Sequence, residues 1–312
     1  MGTDRKYEEA IHHLAEGNFE RAKKAFDSLL ESNPENSDYI SGFYLSSYWD
    51  NRIERIHISR EGRDRAALLL EFLKEFEAQY SQKQFSKSSS YWTCRNAIIL
   101  EVVDQVKISI QKEGNLSISS GMIVELIYQL LLSGEVTSAS EILKDVSGLE
   151  KGIPELLFLR AECMYQSGNE AQGLLLYREA FLKDPSLLRI DAVRSEPILN
   201  AISALKEIWK DSGDLREAIP VYCLENGIFK DIRKMNDREI DQLRLELFRL
   251  RDSLSVRKGD YDFKVKCRMI QLCCALLDSR SGTYYGENAQ EAKRILDSLD
   301  PNFYHKRSVR IR

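Results

Sequence analysis

Apolar residues recur along most of the chain at intervals of three and four, which places them on one face of an α-helix. The segments AIILEVVDQVKISI (97–110) and FKVKCRMIQLCCALL (263–277) show this spacing clearly. Runs in which apolar and polar residues strictly alternate between turn residues, as strands require, are missing. The pattern therefore predicts an all-α protein.

Four glycines are each followed by a small residue five positions later and a bulky apolar residue nine positions later. The sets are Gly17, Ala22 and Phe26; Gly134, Ala139 and Leu143; Gly168, Gly173 and Tyr177; and Gly213, Ala218 and Tyr222. Glycine adopts the left-handed conformation that ends a helix, and a small residue lets the next helix cross closely. Proline closes the second helix at Pro34 and Pro185. The spacing predicts one helix hairpin used repeatedly.

The hairpin that ends at Pro185 resembles the tetratricopeptide repeat (TPR), a two-helix unit of about 34 residues. The matching residues are Ala161, Gly168, Gly173, Tyr177, Ala180 and Pro185. Residues 120–153, 3–36 and 199–232 match the repeat in part, and an insertion around SLLRIDAVRSE (186–196) interrupts the spacing. The resemblance implies a right-handed superhelix of stacked antiparallel helix hairpins, with about twelve to fourteen helices.

On this interpretation the chain is one continuous solenoid in four parts. These are an N-terminal helical subdomain with one hairpin (1–85), regular repeats (86–232), a C-terminal helical cap (233–304) and a basic tail (305–312).

The net charge of −4 arises from 45 basic and 49 acidic residues that are interspersed, so no basic stripe favours nucleic acid. No apolar run is long enough to span a membrane, and the first residues lack the pattern of a signal peptide. We expect a cytoplasmic protein, and a secreted or periplasmic origin with the leader removed stays open.

The residues that commonly carry chemistry show no catalytic or metal-binding pattern. The six cysteines lack a C-x-x-C pair and lie in apolar helical contexts, which predicts buried reduced thiols. The four histidines lack metal-ligand spacing, and motifs for nucleotide binding, zinc hydrolysis or serine hydrolysis do not occur. We therefore expect no enzymatic activity, no catalytic residue, no metal and no cofactor.

Two segments keep two interpretations each. One isoleucine and four leucines repeat at heptad spacing, which indicates either core packing or a homo-oligomer contact. They are Ile240, Leu243, Leu247, Leu250 and Leu254. The tail HKRSVRIR (305–312) is either a solvated end or a segment that docks on an acidic surface.

In TPR proteins the first helix of each hairpin lines a concave groove that holds an extended peptide or a partner helix. The resemblance carries this role to Val124, Tyr128, Leu131, Glu155, Phe158, Glu162, Tyr165, Asn200 and Glu207. Aromatic and acidic side chains would then face a partner that is basic and apolar. The expected function is a scaffold or adaptor for another protein. The alternatives are a regulator that senses a short peptide or small molecule and, for the groove, aromatics that pack on a neighbouring helix.

Overall fold

The computed structural model describes residues 2–114, 118–146, 153–208, 212–255, 262–279 and 285–303. These residues form fourteen helices of ten residues or more and one short helix, and none of them lies in a strand. The all-α prediction is thus confirmed for the described part of the chain. The chain divides into two compact units, Met1–Val146 and Ser147–Arg312, and this boundary falls inside the range predicted for the regular repeats.

The first unit contains eight helices within the described residues. They are α1 (Gly2–Ala15), α2 (Phe19–Ser32), α3 (Ser37–Asp50), α4 (Ile53–Ile58), α5 (Arg63–Gln82), α6 (Ser89–Glu113), α7 (Ser120–Leu132) and α8 (Val136–Asp145).

Helix α6 is the centre of the first unit. It packs against α1, α3, α5 and α7, and side chains on most of its circumference are buried. In a linear stack each hairpin contacts only its neighbours. The packing of α1 on α6 departs from that arrangement.

The second unit contains seven helices within the described residues. They are α9 (Pro154–Gln166), α10 (Glu170–Lys183), α11 (Glu196–Ile208), α12 (Ser212–Glu225), α13 (Asp237–Ser255), α14 (Phe263–Asp278) and α15 (Tyr285–Leu299). Two turns of 3-10 helix, Pro185–Leu187 and Ile190–Ala192, lie between α10 and α11. All seven helices contribute to one hydrophobic core, for example through Leu157, Phe181, Ile198, Ile219, Leu247, Leu272 and Leu296.

The predicted glycine turn occurs three times with the same hydrogen bonds. Gly17, Gly134 and Gly168 have φ angles of 69°, 80° and 84°. In each turn the amide of the next residue donates to a carbonyl five positions earlier, at 2.9–3.0 Å. This is the Schellman pattern that satisfies the last carbonyls of a helix. The prediction is confirmed at these glycines, whereas Gly213 falls inside α12 and does not precede it.

Close helix crossing explains two further small residues. A Cβ atom at Gly173 would lie 2.9 Å from the backbone nitrogen of Tyr165 on the preceding helix. A Cβ atom at Gly42 would clash with the ring of Phe26. Only a residue without a side chain fits these crossings, as the sequence predicted for Gly173.

The heptad seam of α13 serves the core of its own unit. Ile240 and Leu247 are buried, and Leu243 and Leu250 pack against the same core. The core interpretation is therefore confirmed for these residues. Because Ile240 and Leu247 are buried within the unit, they cannot contribute to a homo-oligomer contact. The side chain of Leu254 and the basic tail lie outside the described residues.

Candidate functional site

The groove predicted along α9 is covered by the chain itself. The insertion between α10 and α11 lies over this helix, and its residues Leu188, Ala192 and Val193 are buried. Between the insertion and Phe158 remains a space of about 10 Å³, room for one water molecule at most. The prediction that Phe158 forms an open groove wall is therefore wrong, because the insertion covers this side of α9 and buries Phe158.

Glu162 was predicted to be an exposed carboxylate, and it is 2% exposed. Its oxygens accept hydrogen bonds from Ser195 Oγ at 2.7 Å, from the Arg194 amide at 2.9 Å and from Gln166 Nε2 at 2.8 Å. The Tyr177 hydroxyl also donates to it, and burial raises the pKa of this phenol well above its ordinary value. Glu162 thus fastens the insertion to the hairpin and is not accessible to a ligand.

The other predicted groove residues do not share one environment. In the first unit Val124 and Leu131 are buried in the core, and Tyr128 is half-buried. In the second unit Glu155 and Tyr165 are half-buried, and the last two predicted positions, Asn200 and Glu207, are exposed on α11. Val124 and Leu131 therefore cannot line a groove as predicted.

A larger cavity opens elsewhere in the second unit. Its volume is about 410 Å³, within the range of cavities that bind small molecules or the side chains of a peptide. Its apolar lining is Pro154, Leu175, Leu182, Ile232, Met235 and Leu243, and its polar lining is Arg178, Glu179, Lys183, Arg233, Glu239, Gln242, Glu246 and Arg268. Apolar surface combined with a few placed polar groups is typical of a binding site.

Three arginines tie together the elements that surround this cavity. Arg178 on α10 donates to the Asp231 carbonyl at 3.0 Å and to Asp278 on α14 at 2.5 Å. Arg268 on α14 holds Glu246 on α13 through two hydrogen bonds, at 2.7 and 3.0 Å, and also donates to a carbonyl of α10. Such two-pronged pairs fix geometry as well as charge.

The third arginine, Arg233, bridges α10 and α13. It lies 2.9 Å from Glu179 and 2.5 Å from Glu239. The hydrogen bond from Arg233 is the main cause that lowers the pKa of Glu239, and Glu239 in turn raises the pKa of Arg233. Glu239 and Asn236 also form a capping box. The Glu239 carboxylate accepts a hydrogen bond from the backbone amide of Asn236, and the Asn236 side-chain oxygen accepts one from the backbone amide of Glu239. The walls of the cavity are accordingly organised before any ligand arrives.

Two polar residues at the cavity remain for a ligand. Lys183 and Gln242 are both exposed. The Lys183 ammonium group helps to lower the pKa of Glu239 through its charge. Neither side chain forms a hydrogen bond to another described residue, which leaves them directed to solvent at the rim.

Sequence reasoning did not identify this cavity. Its residues come from the first residue of α9, from α10, from the segment before α13, and from α13 and α14, and no spacing along the chain connects them. The one local signal is the run from Asn236 to Glu239, which has the pattern of a helix start. That signal predicts where α13 begins and does not predict the cavity.

All six cysteines are free and buried, as predicted. Burial raises the pKa of Cys94, Cys223 and Cys273 far above the ordinary value of a thiol. The thiolate form that acts as a nucleophile is therefore suppressed at these positions. In the described part of the chain, no cluster of three or more histidine, cysteine, aspartate or glutamate residues is arranged to hold a metal ion.

Comparisons with protein-family models, with curated proteins and with solved structures gave no match to this chain. Among the described residues, none of the helices combines the length and the apolar character that crossing a membrane requires.

Proposed function

We propose that the chain is a non-enzymatic binding protein that holds a peptide segment of another protein in the cavity beside α10 and α13. The TPR-like superhelix remains part of this proposal, supported by the three identical glycine turns. The peptide site lies at the arginine-bounded cavity, because the groove predicted along α9 is filled by the insertion.

One observation carries the proposal: the cavity of about 410 Å³ has an apolar lining, and its arginines are already paired with carboxylates. Paired arginines offer little net charge to a ligand, since each guanidinium is neutralised within the unit. The rim groups that form no hydrogen bond to another described residue are the ammonium of Lys183 and the amide of Gln242. The partner segment therefore carries a bulky apolar side chain for the cavity and a neighbouring carboxylate for Lys183.

This partner differs from the basic peptide that the sequence suggested. That expectation rested on Glu155, Glu162 and Glu207 forming one acidic wall. Glu162 is buried among neutral donors, and Glu155 lies 4.0 Å from Arg189, which offsets its charge. Without an acidic wall on α9, the exposed ammonium group of Lys183 at the rim of the cavity sets the chemistry of the partner.

A displayed peptide library selected against the whole chain tests the proposal. Selected peptides should be enriched in an apolar residue next to aspartate or glutamate, and their dissociation constants can be measured by fluorescence anisotropy. Leu243→Trp fills the cavity and Lys183→Glu reverses the rim charge, so each should weaken binding about tenfold. Lys206→Glu is the matched control, because Lys206 is exposed on α11 and lines no part of the cavity.

The proposal fails if the selected peptides bind both cavity variants as tightly as the wild type while circular dichroism shows intact folding. The alternative of a sensor for small molecules is separated by a metabolite library in a thermal-shift assay, since a ligand of the native state raises the melting temperature. A metabolite whose stabilising effect is lost in Leu243→Trp, with no peptide selected, would favour that alternative.

A further inference from the structure

The first unit contains a second groove, which has a different chemistry. It lies where the turn between α1 and α2, helix α4, the start of α5 and the middle of α6 approach one another. Its volume is about 370 Å³. The lining residues are Ala15, Glu16, Gly17, Phe19, Ile53, Ile56, His57, Arg65, Leu69, Ala97, Ile98, Leu100, Glu101 and Asp104.

Helix α6 supplies one wall of this groove with a stripe that its neighbours leave uncovered. Ala97, Leu100, Glu101 and Asp104 are three or four positions apart and share one face of the helix. Leu100 is 43% exposed, although α6 packs against four other helices of the unit. Leu100 lines the groove together with the half-buried Ile53, and these two side chains provide apolar area for a partner.

Carboxylates dominate the charge around this apolar strip. Glu101 and Asp104 are exposed on α6, and the exposed Glu16 is the first residue after α1. The opposing cation is Arg65, which donates to the carbonyls of His57 and Ser59 at 3.1 and 2.9 Å and lies 3.7 Å from the carboxylate of Glu61. Because Glu61 offsets the charge of Arg65, the carboxylates of the groove attract positive charge.

We propose that this groove binds a basic amphipathic helix of a partner protein, with apolar side chains on Leu100 and Ile53 and with lysine or arginine facing Glu101 and Asp104. The α6 stripe extends over two helical turns, from Ala97 to Asp104, and a partner helix presents apolar and basic residues at the same spacing of three and four. The carboxylates of the groove require a partner with positive charge, and the exposed Leu100 requires that the partner also has an apolar face. This site is independent of the cavity in the second unit.

The probe for this proposal is a designed helical peptide with leucine on one face and lysine on the other. Its dissociation constant is measured by fluorescence anisotropy against the full chain at low and at raised salt. A second probe has glutamate in place of every lysine. In the Leu243→Trp variant, in which the cavity of the second unit is filled, the chain should bind the lysine peptide and discriminate against the glutamate peptide, and raised salt should weaken the binding.

Variants of α6 assign the binding to the groove. The double variant Glu101→Lys/Asp104→Lys should weaken the lysine peptide about tenfold and reduce the salt dependence, and Leu100→Asn should weaken it about fivefold. Glu71→Lys is the matched control, because Glu71 is an exposed acid on α5 that does not line the groove. This control should change the affinity less than about twofold.

The proposal is overturned if the lysine peptide binds the α6 variants and the Glu71→Lys control with equal affinity, since the peptide would then bind through general charge alone. A peptide with the sequence of residues 305–312 forms the last arm, because it contains four arginine and lysine residues. If that peptide binds the groove more tightly than the designed helix, the occupant is this chain's own basic tail and the partner helix is rejected. Lys183→Glu should bind the lysine peptide as the wild type does, which separates this result from the cavity of the second unit.

Discussion

The hairpins α1–α2 and α9–α10 are built on the same turn but solve one packing problem differently. Their aromatic positions, nine residues after the glycine, are both fully buried. In the first hairpin this residue is Phe26, whose ring packs against Gly42 on α3. In the second hairpin it is Tyr177, whose hydroxyl needs a hydrogen-bond partner inside the core.

The partner of that hydroxyl is Glu162, which stands six residues before Gly168. The corresponding residue of the first hairpin, six before Gly17, is the apolar Ile11. Glu162 has further acceptor capacity and uses it on Ser195 and on the Arg194 amide. One buried hydroxyl thus leads to a buried carboxylate, and that carboxylate fixes the insertion which covers α9. The comparison shows how a small polar difference closes a surface that the repeat pattern leaves open.

Replacing the carboxylate by the residue of the first hairpin should have the largest effect. Glu162→Ile leaves the Tyr177 and Ser195 hydroxyls buried without an acceptor and removes the acceptor of the Arg194 amide. It should lower the free energy of unfolding by about 3–5 kcal/mol. The double variant Glu162→Ile/Tyr177→Phe gives the second hairpin the residue types that the first hairpin has at Ile11 and Phe26. It should be more stable than Glu162→Ile, and urea unfolding of the full double-mutant cycle measures the coupling.

The control is Tyr177→Phe alone, which removes one hydroxyl and keeps the ring. If the two substitutions add without coupling, the carboxylate is not held in the core by the hydroxyl, and the comparison loses its physical basis.

The small residue after the turn also differs between the hairpins, with Gly173 in one and Ala22 in the other. Gly173→Ala places a methyl group 2.9 Å from the backbone nitrogen of Tyr165, so it should cost about 2 kcal/mol through overpacking. Ala22 is fully buried, and Ala22→Gly should cost about 1 kcal/mol because it frees the backbone of a helix interior. Thermal unfolding of both variants tests the order, and a neutral Gly173→Ala would mean that the crossing is wider than described.

Alkaline pH separates the two aromatic positions, because tyrosine titrates and phenylalanine does not. Burial raises the pKa of Tyr177 well above the value of 10.0 that the unfolded chain has. Below pH 10 both states are protonated, and above it only the unfolded state loses the proton. Stability should therefore fall by about 1.4 kcal/mol per pH unit from this residue until its folded pKa is reached.

Urea midpoints between pH 8 and pH 11.5 measure that dependence, with Tyr177→Phe as the variant and Phe26→Tyr as a probe of the other hairpin. The free energy of unfolding of Tyr177→Phe should fall less steeply with rising pH than that of the wild type. The same slope in the wild type and in Tyr177→Phe would show that the other buried tyrosines account for all of it.

The smallest effect should be the same in both hairpins. Gly17 and Gly168 have positive φ angles, and a Cβ atom at either would meet no atom within 4 Å. Alanine at each position therefore costs only the left-handed conformation, about 1 kcal/mol. Chemical denaturation of Gly17→Ala and Gly168→Ala should give similar losses, and a clear difference would mean that the two turns are not equivalent.

The sequence was informative where a residue acts within a few positions of itself. Gly168 closes its turn and Gly173 permits a helix crossing, and both roles follow from spacing along one hairpin. The insertion was recognised as extra length, yet its packing onto α9 depends on Leu188 and Val193 meeting residues of a distant helix. Glu162 misled the prediction, because a carboxylate on an amphipathic helix is usually solvated. The cavity of the second unit depends on ion pairs between residues up to 100 positions apart, such as Arg178 and Asp278.

The six buried thiols can be used to measure how often the helices around them separate. Cys94 belongs to the first unit, and the other five cysteines belong to the second. A reagent that labels thiols gains access only when the surrounding helices separate, so its rate follows local or global unfolding and not surface exposure. Mass spectrometry of the labelled chain would then time the opening of each unit separately, without any substitution.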